Sequence, residues 1–235
     1  MIALKRAALA AALVGFAVLL AGCLDNEPAQ RRAFIEFLQT RIIDKPGLHI
    51  PILSDELKAK LGPYADQYRI MSSFNTDMDA GMSADFTRAM QYGSPRSLDD
   101  LVKHRDMLPA IAAGMAKMKD NLDKALAEAD ARHAALKQPQ DLKVVYDRAY
   151  ERMVTRPAGV FRELIPMLVA NLPTIEKVAA FLDEHRDKIE YRMGAPYVRD
   201  ASLRPQLETL MQEAAKAAET SEEGKRKLRA LMESK

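Results

Sequence analysis

The chain contains no tryptophan and a single cysteine, Cys23. One thiol cannot form an intramolecular disulfide, so packing rather than cross-linking must hold the fold. Glycine is sparse, with 10 among 235 residues, and aromatic residues make up only 6%. No glycine-rich loop follows an expected strand and no G-x-S-x-G elbow occurs, which removes the usual signatures of phosphate binding and serine hydrolysis. Excess charge of one sign is also missing: the formal net charge is +2, and it is carried by Lys5 and Arg6, the only charged residues before Cys23. Without a basic excess there is no electrostatic footprint for nucleic acid. The four histidines, His49, His104, His133 and His185, are scattered, and none lies three or four residues from another. Zinc chemistry needs three or four converging ligands, and the sequence offers no such set.

What the chain does have is one apolar run, Ala7 to Leu20, 14 residues long and preceded by Lys5 and Arg6. A bilayer-spanning helix needs ~20 apolar residues, so this run is short for a span. It ends in Leu20-Ala21-Gly22-Cys23, with small residues directly before the cysteine. That is the layout of a secretory signal carrying a bacterial lipoprotein box. Residues 1–22 are expected to be removed, Cys23 to be the lipid-attachment residue, and residues 23–27 to form a palmitate-bearing tether. Each buried methylene contributes ~0.8 kcal/mol, and more than one acyl chain gives stable anchoring. The expected location is the periplasm, on the membrane. Leu24 rather than an aspartate follows Cys23, which favours the outer membrane over the inner. Arg31 and Arg32 fall near the tether, where they either meet anionic headgroups or sit on a solvated helix face.

Residues 28–222 read as a mainly all-α domain, an antiparallel bundle of long helices with a small β-hairpin near 188–199. Phe34, Phe37, Leu38 and Ile42 share one face of a helix over 28–43. Lys45-Pro46-Gly47 ends it, and Leu48 to Leu53 is expected to be extended. Ser54 should cap a short helix ending near Gly62-Pro63. A helix over 63–90 carries a stripe of Tyr64, Tyr68, Met71, Met78 and Met82, with Asn75 in the remaining stripe position. A turn at Tyr92 to Pro95 and a capping box at Ser97 open a helix over 98–137, kinked at Pro109. There Leu108, Met115, Leu122 and Ala129 repeat at heptad spacing, with Ile111, Met118 and Ala125 between them, until Arg132 interrupts.

A helix over 142–154 follows, and Thr155-Arg156-Pro157 is expected to open another. In that helix Phe161, Ile165, Leu168, Leu172, Ile175, Ala179 and Leu182 form a seam. Pro166 and Pro173 lie off the seam and should bend the axis. Residues 189 to 193 alternate at period two, and Gly194-Ala195-Pro196 forms the tip of a hairpin. Asp200 or Ser202 caps a last helix with Leu203, Leu207, Leu210, Ala214 and Ala217 on one face. A basic tail over 223–235 is expected to fray.

The methionines fall at core spacing, where flexible thioethers commonly fill gaps, rather than in copper-ligand pairs. No catalytic residue, cofactor-binding residue or metal ligand is expected. Tyr191, Met193 and Tyr197 are candidate partner contacts because they place apolar surface on a loop.

Two blocks carry a family resemblance. One is Cys23-Leu24-Asp25 with Gln30-Arg31-Arg32-Ala33-Phe34-Ile35-Glu36-Phe37-Leu38-Gln39. The other is His133-Ala134-Ala135-Leu136-Lys137-Gln138, followed by Asp141-Leu142-Lys143 and Val145-Tyr146-Asp147. Together they resemble the YiaF-like predicted lipoproteins, known only as a domain of unknown function. The resemblance runs in the same order over most of the chain, with Met193-Gly194 standing where the family's asparagine-glycine turn is expected. It implies a bacterial envelope lipoprotein and supplies no functional residue beyond Cys23.

The function expected is that of a non-enzymatic binding or scaffold domain, held on the membrane by its lipid and meeting another envelope protein. The alternative is a carrier of lipid or another apolar ligand in the bundle core. A hydrolase ranks below both.

Overall fold

The computed structural model describes residues 26–81, 98–192 and 195–233. The expected signal segment, Cys23, Met82, the turn at 92–95, the Ser97 cap, Met193 and Gly194 lie outside the described residues.

Helix α1, Glu27–Leu38, starts with Pro28 in its first turn, where a missing N–H costs nothing. It buries Phe34, Phe37 and Leu38 and widens into a π-turn at Gln39–Ile43. Residues 48–53 follow as an irregular strap. Ser54 Oγ accepts from Leu57 N at 3.2 Å and caps α2, Asp55–Leu61. That helix stops at Gly62, whose φ of 57° with ψ of −134° is a conformation close to glycine-only. Helix α3, Tyr64–Gly81, comes next.

The helix expected over 98–137 is broken. Helix α4 covers Leu98–Lys103, a 3₁₀ turn covers Arg105–Met107, and α5 covers Leu108–Ala134. Pro109 sits in the first turn of α5 and starts that helix rather than kinking one already running. The heptad seam is buried as the spacing requires: Leu108, Ile111, Met115, Met118, Leu122, Ala125 and Ala129 all face inward.

The helix expected to end at 154 does not end. Helix α6, Gln140–Tyr150, passes through a π-turn at Glu151–Thr155 into α7, Arg156–Glu184. The result is one continuous helix of 45 residues, Gln140–Glu184. Pro166 and Pro173 are exposed within it and do not divide it.

Pro157 explains the π-turn. A proline inside a helix has no N–H for the carbonyl four residues earlier, and its ring crowds that carbonyl. The carbonyl in question is Met153 O. The backbone widens by one residue, so that Arg156 N donates to Glu151 O, and Asn75 Nδ2 donates to Met153 O at 3.3 Å. Asn75 also donates to Met71 O, one turn back in its own helix, at 2.9 Å. The polar residue in an otherwise apolar stripe therefore supplies the donor that Pro157 lacks.

Strands β1, Ile189–Arg192, and β2, Ala195–Val198, form the hairpin, paired antiparallel with Ile189 opposite Val198. Ala195 and Pro196, expected at the tip, belong instead to β2, opposite Arg192 and Tyr191, because the ladder continues to the end of β1. Asp200 accepts from Ser202 N and caps a 3₁₀ turn at Ala201–Leu203. Helix α8 then runs Arg204–Glu233. The tail expected to fray from 223 is instead helical as far as Glu233. Gly224 lets α8 approach α7 so closely that a Cβ there would stand 2.9 Å from Leu164 Cδ2. Lys227 Nζ pairs with Glu163 at 2.8 Å and Leu231 is buried.

The protein is thus mainly all-α, a helical bundle with a small antiparallel hairpin. Two apolar cores lie along the long helix. The larger gathers α1, α3, α5, α6 and the start of α7 around Phe34, Tyr68, Met71, Leu122, Tyr146 and Met153. The smaller joins Leu101, the end of α7, the hairpin residues Ile189 and Val198, and Leu207 of α8. Ile175 touches both.

Asn75→Leu should destabilise the protein by about 1–3 kcal/mol, because it strands the buried Met153 carbonyl. Made on a Pro157→Ala background, where the helix can close its own hydrogen bond, the same change should cost clearly less. Urea unfolding of the four proteins of this double-mutant cycle measures the coupling.

Candidate functional site

The strap, the π-turn and α3 meet at one place. Arg152, in the π-turn, donates through Nη2 to Gly47 O at 3.2 Å and to Lys45 O. Gly47 has a φ of 71°, which turns the chain into the strap. Further along, Tyr68 OH donates to Pro51 O at 2.6 Å. Burial pushes the Tyr68 hydroxyl well above its ordinary pKa, so it remains a donor. Burial likewise lowers the pKa of Arg152, with Arg156 adding repulsion.

Beneath the strap lies a cavity of about 190 Å³ lined by Leu48, Ile50, Phe74, Asn75, Met78, Met118, Pro157 and Phe161. Its wall is apolar apart from Asn75, whose donors face the Met71 and Met153 carbonyls. Drug-sized ligands need ~300–1,000 Å³, so this cavity admits a short alkyl segment rather than a whole lipid. π-turns inside α-helices recur at functional sites, and here the turn places Pro157 in the cavity wall and Arg152 at the base of the strap.

A polar cluster fastens α5 to α6. His133 Nε2 and Asp147 Oδ1 are 2.8 Å apart, and Lys143 Nζ reaches Asp147 Oδ2 at 2.7 Å. The His133 ring lies 4.1 Å from that of Tyr150, centroid to centroid, and Tyr150 OH donates to Asp130 at 2.7 Å. Tyr146 OH donates to Gln67 O at 2.8 Å. Burial opposes ionisation of Asp147, but hydrogen bonds from Lys143 and His133 outweigh it and hold the carboxyl below its usual range. The cluster joins two helices across a short turn. The other histidines lie in different settings: His104 Nδ1 faces Asp100 O at 2.9 Å, His185 packs edge-on against Phe181, and His49 is an exposed residue of the strap itself. Among the described residues no group of three or more His, Cys, Asp or Glu side chains converges to hold a metal ion.

The hairpin separates the two tyrosines singled out in the sequence. Tyr191 shares the inward face with Ile189, and its hydroxyl is raised by burial and by Asp99 of α4. Tyr197 pairs with Glu190 on the outward face, with the Arg192 guanidinium 3.9 Å above its ring. The tyrosines are 39% and 40% exposed, so each offers surface, but in different directions. Glu190 ties the outward face together through Arg192 and Arg199. In the first turns of α1, Arg31 turns toward Asp141 at 3.5 Å while Arg32 stays exposed.

Sequence reasoning did not find the strap site. Its signal was present in the pairing of Pro157 with a lone Asn75 on an apolar stripe, but nothing in a linear sequence places those two residues together.

A family model described as a protein of unknown function (DUF3053) matches residues 9–228. Over 150 residues the chain is 34% identical to the uncharacterized protein YiaF of Escherichia coli (strain K12), covering 63% of each chain. The uncharacterized protein YiaF of Shigella flexneri matches to the same extent. The alignment thus spans less than two thirds of the length of these curated relatives. No solved structure matches. The chain belongs to the DUF3053 family.

Arg152→Met should release the base of the strap. Thermolysin cleavage on the amino side of Leu48 or Ile52 is expected to rise about tenfold or more, ahead of cleavage in the helices. An unchanged cleavage pattern would show that Arg152 does not hold the strap.

Proposed function

We propose that this chain is a lipid-anchored protein of the periplasm, held on the outer membrane, whose helical bundle is a non-enzymatic binding domain. The observation that carries the reading is the run from Ala7 ending in Leu20-Ala21-Gly22-Cys23, four residues before the first helix begins at Glu27. So short a tether keeps the bundle at the lipid surface. On this reading the bundle is a scaffold, and the outward face of the hairpin, with Tyr197 beneath Arg192, meets another envelope protein.

A second reading is favoured by the cavity under the strap. Its apolar wall, with two methionines and two phenylalanines, suits transient holding of an alkyl segment, which would make the protein a carrier. Thioether side chains adapt to irregular apolar ligands.

The anchor is tested by feeding cells an alkyne-bearing palmitate. The wild-type chain should take up the label and fractionate with the outer membrane, and Cys23→Ser should do neither. Label retained by Cys23→Ser, or absent from the wild type, contradicts the anchor. The carrier reading has its own test. Native mass spectrometry of gently extracted protein should show a bound acyl species that Met118→Trp loses by filling the cavity. A spectrum of unliganded protein alone counts against it.

A further inference from the structure

The geometry points to a second, non-covalent contact with the bilayer, made by the strap: Ile50 and Ile52 enter the lipid interface while Arg41 and Lys60 meet lipid phosphates. The inference rests on the anchor at Cys23 and gives the anchored domain a defined face toward the membrane.

Ile52 is 95% exposed and Ile50 36%. Single exposed apolar residues are ordinary on protein surfaces, but these two differ in how they are held. Arg152 fixes the base of the strap, and Tyr68 fixes the Pro51 carbonyl between the two isoleucines. The strap is therefore fastened in a position that displays Ile52 and part of Ile50, while Leu53 turns toward the core. Among the described residues, no backbone amide of residues 48–53 donates a hydrogen bond within the protein. At a headgroup interface those amides find water and phosphate oxygens.

The charges beside the strap match that surface. A depression of about 360 Å³ next to Ile52 carries Arg41, His49 and Lys60 against one carboxylate, Glu36. Among the described residues neither Arg41 nor Lys60 takes part in an ion pair. On the opposite side of the strap, Lys58 and Arg69 are already neutralised by Asp55 and Asp66. Two unpaired cations beside Ile52, with Ile50 two residues away along the strap, is the composition of an interfacial contact, with apolar insertion and attraction to anionic lipid acting together.

The tether allows it. Cys23 to Glu27 spans at most ~14 Å when extended. Ala33, the first α1 residue in the depression, lies ~9 Å along the helix from Glu27. A lipid at Cys23 and the strap can therefore touch the same membrane surface with α1 lying along it.

The test uses the full lipidated chain carrying Ile52→Cys, labelled with an environment-sensitive fluorophore. The protein is reconstituted in vesicles of phosphatidylethanolamine and phosphatidylglycerol. Tyr197→Cys, on the hairpin, is the control position. The label at 52 should shift to the blue and be quenched by nitroxide placed on lipid chains, while the label at 197 should do neither. Replacing both Arg41 and Lys60 with Gln should lower the docked-to-undocked ratio about 30-fold, from about fivefold for each cation. A label at 52 that stays in water on membrane-retained protein overturns the proposal. So does one shielded from aqueous quencher but untouched by lipid nitroxide, which would assign the strap to a protein contact. Lipidated Cys23 cannot react, so a second fluorophore on Cys23 would report failure of the anchor reading independently of the strap.

Discussion

The fold depends on one carbonyl that its own helix cannot satisfy. Pro157 denies Met153 O its partner, the backbone widens into a π-turn, and Asn75 donates from the facing helix instead. Because that bond exists, the chain continues from Gln140 to Glu184 without a break. The long helix then crosses both cores, burying Leu142, Tyr146 and Met153 in the first and Val178, Phe181 and Leu182 in the second. A break at residue 155 would leave two helical units joined by a loop. The π-turn also aims Arg152 at the carbonyls that begin the strap, so the architecture and the candidate site share one cause.

The proposed functions divide along that helix. The first core includes α1 and carries the strap and its cavity. The second carries the hairpin, which packs Ile189 and Val198 of its inward face on α4 and α7 and presents Tyr197 and Arg192 on its outward face. A protein positioned by a lipid would thus have a membrane-proximal apolar site and a distal surface for a partner. Asn171 of α7, donating to Ala217 O at 3.1 Å and to Ser221 Oγ, holds α8 against the stretch between the two cores.

Much of the fold was legible because apolar spacing survives folding. The seam of α5, the Ser54 cap, the end at Gly62 and the existence of the hairpin each follow from local sequence, whereas its register does not, since Ala195 and Pro196 pair within β2 instead of forming the tip. The misreadings concern prolines and the tail. Pro109 was expected to kink a helix, but a proline in the first turn costs no hydrogen bond, and the chain breaks earlier, at His104. Pro157 was read as opening a helix because its missing N–H suits a first turn. Only the distant Asn75 side chain makes its interior position tolerable. The tail after Gly224 was read as frayed from its basic local composition, yet Glu163 and Leu164, some sixty residues earlier, supply its partners. Long-range partners are what a linear pattern cannot show, and the strap site is made of them.

Native-state hydrogen exchange tests the central claim, that one uninterrupted helix makes the two cores a single cooperative unit. Amides of 149–154 in the first core and 178–182 in the second should open with the same free energy and the same denaturant dependence. If the second set exchanges through a lower-energy opening while the first stays protected, the helix does not couple the cores, and the π-turn is a hinge rather than a splice.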